Sequence, residues 1–218
     1  MAFNVAIDGP AGAGKSTIAK AVAAKKGYVY VDTGAMYRAM ALYFLRSNIS
    51  KDDEAKISSV VDDIVVSIKY EAGSQHVILN GEDVTGFIRT EEVGNMASAT
   101  SVYSAVRTKL VALQQELAKT TDVIMDGRDI GTVVLPNADV KVFLTASVEC
   151  RAKRRFDELQ AKGENPDFDK IAKDIEERDY RDSHREISPL KQAENAILVD
   201  SSNMTIDEVV GAILDLCK

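Results

Sequence analysis

The chain has 218 residues, 27 Lys and Arg against 34 Asp and Glu, a formal net charge of −7, and 45% hydrophobic residues. Those proportions belong to a soluble globular protein long enough for a well-buried core. They exclude a membrane-spanning protein, since no apolar run reaches the roughly 18 residues such a helix needs, and they argue against nonspecific nucleic-acid binding, which needs a basic footprint.

The opening MAFNVAIDGPAGAGKST has neither a basic region nor a long apolar stretch, so it does not read as a secretory signal. Cys150 and Cys217 are too few for a disulfide framework. The expectation is a cytoplasmic protein.

In chain order, residues 3–8 (FNVAID) read as a short buried strand and residues 9–14 as a glycine-rich turn. Residues 15–25 are alanine-rich with helical apolar spacing, Gly27 stops them, and residues 28–31 (YVYV) form the next strand. That is a parallel βαβ unit. Helices follow around residues 35–47 and 51–61. Residues 63–70 and 75–79, joined by 71–74 (EAGS), break the alternation and read as an antiparallel hairpin. A helix is expected over 91–119, strands over 122–125 and 140–144, helices over 148–162 and 169–181, a strand over 196–199 and a closing helix over 206–216. The later strands each end in a polar residue, where open α/β sheets place ligands. No repeat or low-complexity segment is present.

Gly9, Pro10, Ala11, Gly12, Ala13, Gly14, Lys15 and Ser16, with Thr17 following, satisfy G-x-x-x-x-G-K-[ST] in full. Glycines let backbone N–H groups converge on phosphate oxygens at a helix N-terminus, whose dipole also favours anions. Lys15 reaches the β- and γ-phosphates, and the Ser16 hydroxyl can ligate Mg²⁺. A preceding strand and a following helix make a chance glycine turn improbable, so a nucleoside triphosphate site is expected. The fold class is α/β, of the P-loop NTPase type: a parallel five-stranded sheet flanked by helices, with a small antiparallel insert.

A P-loop alone does not separate kinases from motors and switches. The strand at 122–125 runs into Asp126-Gly127-Arg128-Asp129, and no guanine-reading N/T-K-x-D motif occurs. Positive groups beside the phosphates suit a second phosphate better than a water, which favours phosphoryl transfer between two ligands. Arg38 and Arg128 follow the second and third strands. Residues 151–185 carry ten Lys and Arg and ten Asp and Glu, so most of them read as a solvated, salt-bridged helical pair. Arg151, Arg154 and Arg155 share one face, and Arg178, Arg181 and Arg185 another. Joined by the turn at 163–166 (GENP), the two helices read as a lid that brings guanidinium groups over triphosphate.

The motifs IDGPAGAGKST (7–17), DTGAMYR (32–38), LNGEDVT (79–85), IRTEEV (88–93), DGRDIGTVVLPNA (126–138) and ERDYRDSHR (177–185) cover essentially the whole chain. Through them the chain resembles the bacterial cytidylate kinases of the long-insert type, within the nucleoside monophosphate kinases. The resemblance implies ATP as donor, CMP or dCMP as acceptor, and Mg²⁺. It also implies a core (1–33, 87–150 and 186–218), a nucleotide-binding region with the antiparallel insert (34–86) and a lid (151–185). Carried over by position, Arg38, Arg128 and Arg185 hold the CMP phosphate, Ser98, Arg107 and Asp129 read cytosine, Thr33 and Tyr37 line the acceptor pocket, and Asp182 binds ribose. Thr33 stands where many relatives have Ser, which keeps the hydroxyl. Lys15, Arg128, Arg154 and Arg181 are the expected catalytic set, with Ser16 toward the metal.

Cytosine offers an amine donor where uracil offers an acceptor oxygen, so a carboxylate such as Asp129 distinguishes them. No general base is needed, because a phosphomonoester, with a second pKa of about 6, is already largely dianionic near neutral pH. His76 and His184 read as surface residues, Tyr28 and Tyr30 as packing residues, and Cys150 as no catalytic thiol. A monomer acting on small nucleotides is expected. Two other readings stand beside this one: a kinase for UMP, AMP or shikimate on the same core, and a P-loop regulatory or assembly ATPase.

Overall fold

Five short apolar runs assemble into one parallel sheet. Residues 2–71 and 74–218 are described by the structure, a computed structural model. The strands are β1 (Asn4–Asp8), β2 (Val29–Asp32), β6 (Val123–Gly127), β7 (Val140–Thr145) and β8 (Ile197–Asp200), in the order β2-β6-β1-β7-β8. β1 lies in the middle, with Ile7 opposite Asp126 on one side and Val142 on the other. Its Val5, Ala6 and Ile7 are fully buried, as expected of a parallel strand covered on both faces. Helices α1 (Lys15–Lys26) and α8 (Ile206–Leu216) pack together, and Ile18, Val22, Val209, Val210 and Ile213 join the strand residues in one core.

Helix ends follow local chemistry. Gly27 closes α1 at φ 71°, its N–H donating to the Ala23 carbonyl. Thr205 and Glu208 form a reciprocal capping box at α8. Helices α6 (Val148–Ala161) and α7 (Phe168–His184) pack as a hairpin, with Phe156 meeting Phe168 edge-on at 6.1 Å. No helix among the described residues is long and apolar enough to cross a membrane.

The chain divides into two compact units, Met1–Tyr30 with Thr121–Lys218, and Val31–Thr120. The second contains α2 (Thr33–Arg46), α3 (Glu54–Val60), a 3₁₀ turn at Val61–Asp63, the antiparallel sheet β3 (Val66–Glu71), β4 (Ser74–Leu79) and β5 (Glu82–Asp83), and helices α4 (Glu91–Thr100) and α5 (Ser104–Thr120). Helix α2 is its centre, packed by α4, α5 and β4. Met36, Met40, Phe44, Ile57, Ile88 and Leu110 are fully buried.

Three expectations change. The helix expected over 91–119 is two helices, broken at 101–103. Thr100 Oγ1 donates to the Met96 carbonyl at 2.9 Å and Ser101 Oγ to the Ser98 carbonyl at 3.0 Å, the local bonding by which Ser and Thr compete with a helix. Arg107 Nη1 then donates to the Ser101 carbonyl at 3.3 Å. The hairpin starts at Val66 rather than residue 63 and gains the third strand β5, while Ala72 and Gly73 of the expected turn lie outside the described residues. A π-helical turn at Ile130–Val134, not expected from the sequence, follows β6.

Candidate active site

The glycine loop leaves β1 through Gly9 at φ 152°, where an added Cβ would lie 1.9 Å from the Leu144 carbonyl oxygen of β7. Gly14, at φ 89°, caps α1, whose first turn carries no acidic residue and so leaves its amide dipole to an anion. Lys15 is buried and donates from Nζ to the Pro10 carbonyl at 2.7 Å. Burial, and next the Arg128 guanidinium, hold its ammonium well below the ordinary lysine range. An arriving triphosphate reverses that balance by giving the ammonium anionic partners.

Arg151 corrects one reading of the lid. It is buried rather than facing a ligand, with Nε on the Ala146 carbonyl at 2.9 Å, Nη1 on the Ala11 carbonyl at 3.0 Å and Nη2 on Asp179 at 2.6 Å. It braces the glycine loop from behind. Arg155 pairs with Glu158 at the surface. Arg154 reaches from the Ser201 carbonyl, 2.9 Å, to the Ala13 carbonyl, 3.5 Å, and so lies against the loop. Arg181 is exposed, its Nε donating to the Glu177 carbonyl of its own helix.

Ser16 Oγ donates to Asp126 Oδ2 at 3.0 Å, and Tyr30 donates its hydroxyl to Asp126 Oδ1 at 2.7 Å. Tyr30 is thus a core residue with a polar task, more than the packing residue its alternation with valines suggests. The hydroxyl and carboxylate at the end of β6 are hard oxygen donors of the kind Mg²⁺ takes. Among the described residues no three His, Cys, Asp or Glu gather as a metal cluster.

Beyond β6, Arg128 Nε donates to Asp182 Oδ2 at 2.8 Å, and Arg185 Nη2 lies 3.9 Å from Asp129 Oδ1, both side chains of that second pair being 7% exposed. Burial pushes the Asp182 carboxyl up, but Arg128, with Arg178 and Arg185, outweighs it and holds the group below the usual range. Arg128, Asp129, Asp182 and Arg185 thus form one cluster of alternating charge in the first unit. Arg178, expected on the arginine face of the lid, belongs to the same electrostatic group.

Asp8 was also missed. It is buried at the end of β1 and accepts from the Ile130 and Gly131 amides, each at 2.7 Å. Burial pushes its carboxyl up to about 6 although both amides pull it down. Only its place beside Gly9 could have flagged it.

In the second unit, Thr33 opens α2 and is buried, Tyr37 and Arg38 lie on the following turn, and Asp32 caps the helix by accepting from the Ala35 amide. Asp32 is held by Arg89, 2.5 Å from Oδ2, and its own amide donates to Gln75 Oε1 at 2.8 Å, so hairpin and helix meet at this cap. The buried Arg107 guanidinium stacks on the Tyr37 ring at 5.8 Å. Ser98 is one helical turn before the break and half-buried. A shallow cavity of about 680 Å³, lined by residues including Leu45, Lys51, Glu91 and Met96, contains none of the expected site residues. His76 meets Asp83 at 2.8 Å, and His184 stacks on the exposed Tyr180 at 4.0 Å.

The likeness to known proteins agrees with this chemistry. The family model described as cytidylate kinase matches residues 5–218. The cytidylate kinase of Caldicellulosiruptor saccharolyticus is 55% identical over 214 residues, 98% of this chain and 95% of the relative. That of Lactobacillus johnsonii is 54% identical over 216 residues, 99% and 94% of the two chains. Among solved structures, an uncharacterized protein from Eubacterium ventriosum has a TM-score of 0.54 at 10% identity, covering 98% of this chain and 96% of its own. The shikimate kinase of Bacteroides thetaiotaomicron has a TM-score of 0.50 at 14% identity, covering 99% and 98%. These distant structures speak for the fold alone, a P-loop α/β core. The chain belongs to the cytidylate kinase family.

Proposed function

We propose that this protein phosphorylates CMP, and dCMP, with ATP. The observation that carries the reading is the cluster beyond β6: a carboxylate, Asp129, beside guanidiniums, in the same unit as a complete triphosphate cradle. A motor or switch needs a positioned water there; an acceptor kinase needs a base reader and a phosphate clamp.

The nucleophile is a CMP phosphate oxygen, which needs no base. Arg38, Arg128 and Arg185 hold that phosphate, Ser98, Arg107 and Asp129 read the base, Thr33 and Tyr37 line the pocket, and Asp182 takes the ribose. Lys15 neutralises the charge that develops on the transferring phosphoryl group, with Arg154 and Arg181 from the lid. Ser16, with Asp126, would hold Mg²⁺, which would supply electrostatic stabilisation of the triphosphate charge. The core comprises 1–33, 87–150 and 186–218, the nucleotide insert 34–86, and the lid 151–185, whose closure excludes the water that would otherwise hydrolyse ATP. The enzyme acts as a monomer in the cytoplasm on small nucleotides, and its net charge of −7 supports a ligand other than nucleic acid.

An ADP-release assay across CMP, dCMP, UMP, AMP and GMP tests the reading. Turnover confined to CMP and dCMP, and abolished by Lys15→Ala in a folded chain, is the expected result. Hydrolysis of ATP independent of any acceptor would overturn it in favour of the ATPase.

A further inference from the structure

The helices of this protein are capped, where a polar cap exists, by their own N-cap side chains: Asp32, Asp53, Thr90, Ser147, Asp167 and Thr205 each accept from an amide of the helix they open. The π-helical turn after β6 departs from that rule. Asp129 occupies its N-cap position, yet its carboxylate makes no capping bond to the turn. The turn's first two amides, of Ile130 and Gly131, instead meet the two oxygens of Asp8, 122 and 123 residues away in sequence.

We infer that Asp8 caps this turn in place of Asp129, and so positions the Asp129 carboxylate for reading the base. The inference rests on the base-reading role proposed above for Asp129. An N-cap aspartate ordinarily turns its carboxylate back onto its own helix. Asp8 takes the Gly131 amide, one of the two that such a carboxylate reaches, and Asp129, which makes no capping bond, has its Oδ1 3.9 Å from the Arg185 guanidinium.

Gly131 belongs to the same device. A Cβ there would lie 3.3 Å from Asp8 Oδ2 and 3.3 Å from Lys141 Cδ, so glycine lets the amide come within 2.7 Å of the carboxylate. Its φ is not positive, so close approach rather than conformation explains the residue.

Burial raises the Asp8 carboxyl to about 6, a sign that its charge is held against the local environment. Such costs concentrate where a site needs fixed geometry.

The test is Asp8→Asn. Asparagine keeps the shape but presents one acceptor oxygen and one NH₂ donor to two N–H donors, so the grip on the turn is lost. Expected are a rise in KM for CMP of about tenfold or more and a similar fall in the CMP-over-UMP ratio of kcat/KM, with KM for ATP unchanged within about twofold. Amide exchange at Ile130 and Gly131 should accelerate as well. An unchanged KM for CMP and an unchanged CMP/UMP ratio in the folded variant would overturn the inference. So would equal losses toward CMP, UMP and ATP, which would assign Asp8 to the glycine loop.

If Asp8→Asn does not fold, Gly131→Ala, with amide exchange at residue 131 to show that the Asp8 bond is weakened, decides the matter, since its Cβ presses on that carboxylate at 3.3 Å without removing it. The same CMP-selective loss supports the inference and its absence refutes it. A wild-type chain inactive on CMP would refute the kinase reading instead, and amide exchange would still test the cap.

Discussion

Replacing Gly9 by alanine separates two costs that a glycine loop usually mixes. The new Cβ would sit 1.9 Å from the Leu144 carbonyl oxygen, where contacts below 3.0 Å do not occur, so about 1.1 Å of movement is forced on backbone. Leu144 is fully buried and in register with Val199 of β8, and β1 and β7 are hydrogen-bonded neighbours, so neither side yields easily. Overpacking of this kind costs about 1–3 kcal/mol, and a side chain at φ 152° about as much again, giving roughly 2–6 kcal/mol in all. Gly27→Ala is the control: φ is 71° and nothing lies within 4 Å, so only the backbone term of about 1 kcal/mol remains. Urea denaturation of both variants, with ATP turnover, measures the difference. An ångström of displacement in a phosphate cradle corresponds to about a hundredfold in rate. Equal stability losses in the two variants, with ATP turnover intact in Gly9→Ala, would refute the contact argument.

Other consequences are equally accessible. The Asp8 carboxyl rises from its ordinary 3.8 to about 6, so between those values the folded chain keeps a proton that the unfolded chain has lost. Its contribution therefore falls as pH rises through that window, by about 3 kcal/mol, and denaturation of wild type and Asp8→Asn from pH 4 to 7 should diverge accordingly; parallel curves would contradict it. Phe44→Ala empties a fully buried site in the second unit and should cost about 3–5 kcal/mol by the same measurement. Thr205→Ala removes the capping box of α8 and should cost about 1 kcal/mol, visible as a lower Tm by circular dichroism.

The parallel sheet was legible because each strand is a short continuous apolar run ending at a polar residue, and the loop because its glycines stand at fixed spacing. What escaped the sequence depended on partners far along the chain. Nothing local shows that Tyr30 ends on Asp126 or that Arg151 lies under the loop rather than over a ligand. Helical spacing groups Arg151 with Arg154 and Arg155 on one face, but which part of that face is buried is decided by Ala11, Ala146 and Asp179. The break between α4 and α5 was in principle visible in the run Thr100-Ser101-Val102-Tyr103, since hydroxyls bonding back to carbonyls weaken a helix from within. The π-helical turn had no such signal, because its capping oxygens come from residue 8.

The strand order also constrains the sequence of events during synthesis. β1 is made first, yet its two neighbours in the sheet, β6 and β7, begin only at Val123 and Val140. The whole of Val31–Thr120, contiguous and with its own core, is available before either exists. β1 therefore waits unpaired while more than a hundred further residues are made, a long loop to close before its contacts repay the ordering. The glycine loop, which lies against Leu144, takes its final shape only after β7 has been made, so a nascent chain stalled short of that strand should be unable to retain ATP.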